Sequence, residues 1–188
     1  MKKSIGAQPA TFPNPVFIVG TYGKDGAPDV ATFAWGGTAA SDPPALSVSV
    51  RPSRLTYENL LLKKAFTVSL PSAQYAAEAD YFGIVSGRDA DKFAKTGLTP
   101  VRAEFVDAPY VEEFPVNIEC VVTQSLELGS HVLFVGEIKD IKVDEALAAA
   151  GANPWADGKV ITFGANVNQY LAPGEEAAKA FSAGLKYR

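Results

Sequence analysis

The stretch SVSVRPSRLTYENLL, Ser47–Leu61, begins with the alternation of a β-strand and continues into a short helix. Apolar and small polar residues alternate in its first part, which predicts a strand with one buried face. The segment RPSRLT, at positions 51–56, forms the turn between strand and helix. This turn carries two arginines and two hydroxyl side chains, although the formal net charge of the chain is −4. Such a local positive charge on an acidic protein indicates a binding site.

The residues of this turn are suited to a phosphate group. Ser53, Arg54 and Thr56 offer hydroxyl and guanidinium donors beside the free N–H groups of a helix N-terminus. The alternative is ordinary helix capping by the hydroxyl residues, with both arginines solvated. The segment ATFAWGG, residues 31–37, adds an indole and small residues earlier in the chain. A flat pocket beside a phosphate site favours a nucleotide, and in a redox protein it favours a flavin.

Composition restricts the class of protein. The chain has 188 residues, of which 47% are hydrophobic and 20% charged, so we expect one globular domain spanning residues 1–188. The acidic balance argues against nucleic acid as a partner, because phosphate neutralisation needs a basic face. No apolar run is long enough for a membrane span. The N-terminus lacks the apolar core of a signal peptide, so we expect a cytoplasmic location.

Histidine and cysteine are too scarce for metal or thiol chemistry. Cys120 is the only cysteine, which excludes an intrachain disulfide, a CxxC redox pair and an iron–sulfur cluster built from this chain alone, and one cysteine with one histidine cannot supply the four ligands of a zinc site. Its position in the alternating run NIECVV predicts a small core residue. His131 is the only histidine and lies at a predicted hairpin tip, where it is either exposed or directed into a site. Redox chemistry would therefore require a bound cofactor.

Strand patterns dominate the chain and predict a small, mostly antiparallel barrel of six or seven strands with short helical insertions. The segment Val30–Ser41 reads as one strand, and a helix is predicted from Ser72, as its N-cap, to near Gly87. Two long strands are expected to meet at a hairpin tip formed by Gly129–Ser130. The C-terminal segment 174–188 is predicted to form an amphipathic helix.

The sequence resembles the flavin reductase-like family with the FMN-binding split barrel, specifically its flavoredoxin-like branch. The resemblance extends from about Pro15 to Gly184. It implies a mainly β fold, a six-stranded antiparallel Greek-key split barrel with short helices, which binds FMN and forms a homodimer. The segments that carry it are VATFAWGGTAASDPPALSVSVRPSRLTYENL (30–60), FTVSLP (66–71), SGRDADKF (86–93), GSHVLFVGEI (129–138) and YLAPGEEAAKAFSAG (170–184).

The resemblance also implies roles for individual residues. The strand around Trp35 would line the flavin ring, the turn from Arg51 would hold the phosphate, and Lys92 would approach the phosphate or ribityl chain. His131 would lie near the flavin as a candidate catalytic residue. The residues assigned to the cofactor in this way are Thr32, Ala34, Trp35, Gly36, Val50, Arg51, Ser53, Arg54, Thr56, Ser86 and Lys92.

Three functions remain open on the sequence. The first is an FMN-dependent oxidoreductase that takes electrons from NAD(P)H. The second is a carrier that passes electrons between protein partners through bound FMN. The third is a barrel that binds no cofactor, or a different one such as haem, and the visible absorption spectrum would identify this case. A homodimer is expected from the resemblance, and also because NIECVV and HVLFVGEI are apolar on both faces.

Overall fold

An antiparallel sheet that curls into a barrel is the frame of this protein. The computed structural model describes residues 1–9 and 11–187, without the side chain of Lys186. The strands are β1 (Asn14–Pro15), β2 (Phe17–Tyr22), β3 (Pro28–Phe33), β4 (Gly36–Ser41), β5 (Pro44–Val50), β6 (Ala65–Leu70), β7 (Pro100–Arg102), β8 (Pro109–Val111), β9 (Val116–Leu128), β10 (His131–Val143), β11 (Thr162–Gly164) and β12 (Gln169–Leu171). The helices are α1 (Leu55–Lys63), α2 (Ala76–Ile84), α3 (Lys92–Thr96), α4 (Glu145–Ala149) and α5 (Pro154–Asp157).

The main sheet has its two edge strands next to each other in the chain. Within the described ranges its strand order is β3-β2-β6-β9-β10-β5-β4, with antiparallel pairing throughout. Only Ala34 and Trp35 separate β3 from β4, and the Trp35 carbonyl accepts a hydrogen bond from Ser49 N at 2.8 Å. The two edges therefore meet at this point, and the sheet curls back on itself.

The predicted mainly β, antiparallel barrel is confirmed, and among the described residues the main sheet has seven strands, which lies within the six or seven that the strand patterns predicted and is one more than the resemblance implied. The difference comes from the segment Val30–Ser41, which was expected to be one strand. The chain leaves the first edge of the sheet at Ala34 and joins the other edge at Gly36. One continuous sequence pattern therefore contributes two strands to the sheet.

The alternation in the opening stretch is reproduced in β5. Leu46, Val48 and Val50 are buried in the barrel core, while Ser47 and Ser49 are half-buried on the outer face. The predicted hairpin tip is also present, with Gly129 in the left-handed region at φ +58°. Side-chain alternation along strands thus determines which residues fill the barrel.

The helix predicted from Ser72 is shorter than expected. A 3₁₀ turn over Ala73–Tyr75 precedes α2, Ser72 makes no side-chain capping bond, and the helix ends at Ile84. Val85 is extended (φ −105°, ψ 141°), so the chain leaves the helix before Gly87. The following loop, residues 85–91, packs Gly87 against the side chain of Asp29.

The predicted C-terminal helix is wrong for the described part of that segment. Residues 172–179 have no regular secondary structure, and a 3₁₀ turn covers Ala183–Tyr187. The residues of segment 172–185 are exposed, so no tertiary packing supports a helix there. A short helix without such packing is marginal in water. The last residue, Arg188, lies outside the described residues.

The helices of the described residues are all short. None of them is both long and apolar enough to cross a membrane. The described residues also contain no cluster of three or more histidine, cysteine or acidic side chains arranged to hold a metal ion.

Candidate functional site

The turn between β5 and α1 leaves its donors free. Arg54 N donates to the Arg51 carbonyl at 3.0 Å, which closes the turn, and Arg54 then occupies the N-cap position of α1. No side chain caps this helix terminus. The guanidinium groups of Arg51 and Arg54 make no hydrogen bond or ion pair within residues 1–9 and 11–187. The turn therefore presents two unpaired cations and the positive end of a helix dipole.

Two adjoining cavities lie beside this turn. The first, which we call the ring cavity, has a volume of about 220 Å³. The second, the cation cleft, is a narrow space of about 20 Å³. The two share Thr32, Phe33 and Arg54 in their walls. The ring cavity is lined by Thr32, Phe33, Ala34, Trp35, Ser49, Arg51, Arg54 and His131.

An aromatic pair forms one end of the ring cavity. The indole of Trp35 and the imidazole of His131 have centroids 4.6 Å apart, with 41° between their planes. Trp35 is 40% exposed, and Nδ1 of His131 lies 2.8 Å from Ser130 Oγ. Burial, and to a smaller extent the positive charge of Arg51, lower the pKa of His131 below its ordinary value of 6.5. His131 is therefore directed into the cavity rather than free at the hairpin tip.

Predicted residues also meet in the cation cleft. Arg54, Thr56, Ser86 and Lys92 line it together with part of α2, although they come from three separate segments of the chain. Thr56 and Lys92 are almost completely buried. The narrow cleft is too small to enclose a phosphate group. A phosphate would therefore lie at its mouth, against Arg54 and the first N–H groups of α1.

The ammonium group of Lys92 is held inside the protein. It donates hydrogen bonds to the carbonyls of Val30 at 2.6 Å and Phe82 at 3.2 Å, and it lies 3.5 Å from Asp29 Oδ1. Burial lowers the pKa of Lys92, and Asp29 opposes this effect. Burial likewise raises the pKa of Asp29, against the pull of Lys92. Lys92 thus joins β3 to α2 behind the site, and Arg54 is the cation at the surface.

Three of the predicted residues line neither the ring cavity nor the cation cleft: Gly36, Val50 and Ser53. The side chain of Val50 is fully buried in the barrel core. A Cβ on Gly36 would lie 2.5 Å from the Ser47 carbonyl oxygen and 2.8 Å from the Phe17 ring. The glycine therefore allows close packing against other residues of the protein. Ser53 lies outside both cavities, and its carbonyl accepts a hydrogen bond from Arg88 at 3.0 Å. Any contact of Val50 or Gly36 with a ligand would involve the backbone.

Two residues that the sequence reasoning did not single out support the site. Arg88 donates to the Ser53 carbonyl and forms an ion pair with Glu58 at 2.7 Å, so it anchors the turn to α1. Asp29 is 7% exposed and pairs with Lys92. Arg88 lies within SGRDADKF, from which only Ser86 and Lys92 were assigned to the cofactor, and its charge in that segment was an available signal. Nothing in the sequence distinguished Asp29 from a solvated carboxylate.

A larger cavity of about 620 Å³ lies between β8, β10 and α4, and none of the predicted site residues line it. The ring cavity and cation cleft therefore remain the candidate site.

Residues 10–160 of the chain match the family model described as the flavin reductase like domain. The chain belongs to this family.

Solved structures of two flavoredoxins share this fold over nearly the whole chain. The chain is 46% identical to flavoredoxin of Desulfovibrio vulgaris (Miyazaki F), with a TM-score of 0.91 over 98% of this chain and 100% of that one. It is 27% identical to flavoredoxin from Methanosarcina acetivorans, with a TM-score of 0.92 over the full length of both. A high molecular weight rubredoxin of Moorella thermoacetica is 30% identical over 105 residues, 55% of this chain and 44% of that protein.

Proposed function

We propose that the protein is a flavoprotein that holds FMN in the ring cavity and passes electrons through it. The main observation is that the unpaired Arg54 lies where the ring cavity joins the cation cleft, while the unpaired Arg51 lines the ring cavity. FMN has the matching order of groups, with a planar ring at one end and a phosphate at the other. The similarity to flavoredoxins supports the same assignment.

The residues of the site would bind and orient the cofactor. Arg54 and the N–H groups at the start of α1 would hold the phosphate by charge-assisted hydrogen bonds. Trp35 and His131 would bound the ring, and the backbone at Ala34 lies where it can reach the ring edge. Lys92 would add positive charge from behind without direct contact. When bound, the flavin supplies hydride and single-electron transfer, for which the protein's side chains have no substitute.

The thiol of Cys120 is not suited to act as the redox group in place of a flavin. Cys120 is fully buried, and burial raises its pKa to about 12. A thiol with so high a pKa is a poor nucleophile and a poor redox group at neutral pH. Electron transfer would therefore depend on the bound flavin.

The test of flavin binding is the absorption spectrum of freshly purified protein. We expect the two visible bands of oxidised flavin, and we expect the released cofactor to be FMN. A colourless protein that stays free of flavin after incubation with FMN would refute the proposal. A single dominant Soret band would assign haem instead.

The two forms of this proposal differ in the electron donor. As an oxidoreductase, the protein oxidises NADH or NADPH in the cytoplasm and reduces a separate acceptor. As a carrier, it receives electrons only from a protein partner, and the 46% identity to a flavoredoxin over nearly the whole chain favours this form. Steady-state oxidation of NADH and NADPH by the holoprotein distinguishes them. Turnover without a partner supports the oxidoreductase, and reduction only through a redox protein supports the carrier.

A further inference from the structure

The cavity beside α4 is separate from the candidate flavin site. This space, which we call the α4 cavity, lies between β8, β10 and α4 and has a volume of about 620 Å³. That volume is within the range of cavities that hold small organic molecules. The α4 cavity shares no lining residue with the ring cavity or the cation cleft. An occupant of this cavity would therefore be a ligand additional to the proposed flavin.

Asn117, on β9, supplies an unsatisfied acceptor to the wall of the α4 cavity. It lines the cavity, although the residue is only 5% exposed. Its Nδ2 donates a hydrogen bond to the Phe114 carbonyl at 3.1 Å, and because a carbonyl can only accept, this bond fixes the orientation of the amide. Oδ1 is then buried with no hydrogen-bond partner among the described residues. Buried polar atoms are nearly always paired, so an N–H or O–H donor on a ligand would complete this group.

The carboxylates around the α4 cavity favour a positively charged ligand. Glu112, Asp144 and Glu145 line the cavity, and none of the three forms an ion pair with any residue that the structure describes. Asp144 uses Oδ1 to accept from Ala146 N at 2.8 Å and Leu147 N at 3.2 Å, which leaves Oδ2 as a further acceptor. Three carboxylates on one wall attract a cation and repel an anion.

Lys142 also lines the α4 cavity, but its charge is already neutralised by other residues. Its ammonium group donates to Asp140 at 2.8 Å and to Glu104 at 3.0 Å, and it lies 3.4 Å from Glu119. The hydrogen bond to Asp140 raises the pKa of Lys142. Three carboxylates thus surround one ammonium group, and the cavity keeps its negative potential in spite of Lys142.

The rest of the wall fits the carbon chain of an organic cation. Apolar side chains line it at Phe114, Val143, Ala146 and Ala149. Within residues 1–9 and 11–187, no acidic, histidine and cysteine side chains are arranged to hold a metal ion, so a bare divalent cation is a poor match. An alkylguanidinium or alkylammonium compound matches better, because its N–H groups are all donors and its methylene chain is apolar.

We propose that the α4 cavity binds a small organic cation, an alkylguanidinium or alkylammonium compound, which donates an N–H group to Asn117 Oδ1 and places its charge against the three carboxylates. A guanidinium group suits the site best, since its flat array of donors can reach the amide and a carboxylate together. A carboxylate on the same molecule would be repelled, so a simple amine or guanidine fits better than an amino acid. The site is independent of the proposed flavin, and failure of either proposal leaves the other standing.

The test is an NMR titration of the isotope-labelled, full-length protein with butylguanidinium. We expect saturable shifts of the Asn117 side-chain amide and of the backbone amides of Ala146 and Leu147, with a Kd of about 1 mM or tighter. Butylurea has nearly the same shape and no charge. It should bind about ten- to a hundredfold more weakly, because charge-assisted hydrogen bonds are lost. Equal binding of the two probes would overturn the proposal.

Two alanines of α4 provide a matched pair of variants. Ala149 lines the α4 cavity and Ala148 does not, and both are exposed. Ala149→Trp should fill the cavity and weaken butylguanidinium about tenfold or more, whereas Ala148→Trp should leave its affinity unchanged. Unchanged amide shifts in the barrel strands show that both variants are folded. Equal affinities of the two folded variants would contradict the site.

A second pair of variants tests the charge of the wall. Glu145→Gln removes one carboxylate from the α4 cavity and should weaken butylguanidinium about two- to fivefold, as expected for an exposed charge. Glu127→Gln, at an exposed glutamate on β9 outside the cavity, is the control and should have no effect. The same loss of affinity in both variants would mean that the cation responds only to the net charge of the protein, which would overturn the proposal.

High salt and calcium distinguish this site from an acidic surface and from a metal site. At about 0.5 M NaCl the Asn117 shift should still saturate, because a hydrogen bond to a buried amide is screened little. Saturable shifts of the same amides with calcium chloride would assign the cavity to a metal ion and overturn the proposal. Absence of any saturable shift with butylguanidinium would overturn it as well and leave Asn117 Oδ1 to a water molecule.

Discussion

Arg54 is the residue on which the proposed phosphate contact depends most directly. Its guanidinium lines both the ring cavity and the cation cleft, and it has no partner among the described residues. Arg54→Ala should weaken FMN binding about ten- to a hundredfold, because a charge-assisted hydrogen bond is lost. Riboflavin, which lacks the phosphate, should bind the variant and the wild type equally. Fluorescence titration of the apoprotein measures both.

The matched control for this prediction is Arg102→Ala. Arg102 is an exposed arginine on β7 that lines neither the ring cavity nor the cation cleft, and it pairs with Asp107. Its removal should leave both ligands unaffected. If Arg54→Ala weakened FMN and riboflavin to the same degree, the turn would be a helix cap only, and the phosphate would lie elsewhere.

We expect His131 to influence electron transfer without holding the cofactor in place. It contacts Trp35 at the end of the ring cavity, and burial lowers its pKa, which favours the neutral imidazole. His131→Ala should change the reduction potential of the flavin or the rate of its reduction, with FMN content unaltered. Potentiometric titration and stopped-flow absorbance measure these quantities. Identical potentials and rates in both proteins would show that the imidazole plays no part.

At the scale of elements, the Lys92–Asp29 pair joins the start of α3 to β3 and the end of α2. Lys92→Met removes a buried ammonium group and leaves the Asp29 carboxylate unpaired, which should lower the free energy of unfolding by about 3–5 kcal/mol. Lys95→Met, on the same short helix, is the control, because Lys95 is exposed. Urea denaturation measures both variants, and equal stabilities would contradict the role given to Lys92.

The pKa of Asp29 determines how the stability of Lys92→Met depends on pH. Burial already raises the pKa of Asp29 in the wild type, and loss of Lys92 removes the charge that opposes this shift. A carboxyl group with a raised folded-state pKa contributes stability that is lost as pH rises through that pKa. The deficit of Lys92→Met should therefore be larger at pH 7 than near pH 4. Lys92→Met with Asp29→Asn should recover stability at pH 7, and a pH-independent deficit would argue against the ion pair.

At the scale of the whole molecule, we propose that the protein is a homodimer. The run NIECVV lies within β9, where Asn117–Cys120 are buried in the protomer itself and Val121 and Val122 are half-buried, so this run adds little support to a dimer. The end of the β9–β10 hairpin does, because Leu126 and Leu128 are 58% and 51% exposed there. Exposed apolar groups at the end of a long hairpin are typical of an interface.

Light scattering of the FMN-loaded protein at micromolar concentration should give the mass of two chains. Leu126→Asp should shift the protein toward the monomer, since an interface with a buried unpaired charge is unfavourable. Leu61→Asp, at an exposed leucine on α1, should leave the dimer intact. A wild-type monomer with FMN bound would refute the proposal.

Local pattern in the sequence was enough to determine the barrel and the position of the turn. Alternation in ALSVSV determined which side chains of β5 enter the core, and Arg51–Thr56 marked the end of the strand and the start of α1. These features depend on neighbours in the chain, whose spacing the sequence shows directly. The resemblance to a family added the residues from distant segments, such as Ser86 and His131.

Only the tertiary structure decided what those distant residues contact. Sheet closure divided one predicted strand at Trp35 and brought the indole against His131. The packing of β3 against α2 and α3 paired the buried ammonium group of Lys92 with Asp29. The segment 172–185 does not form the predicted helix, because no other part of the protein packs against it. The physical reason is the same in each case: the environment of a side chain depends on which other elements pack around it, and this information is spread over the whole chain.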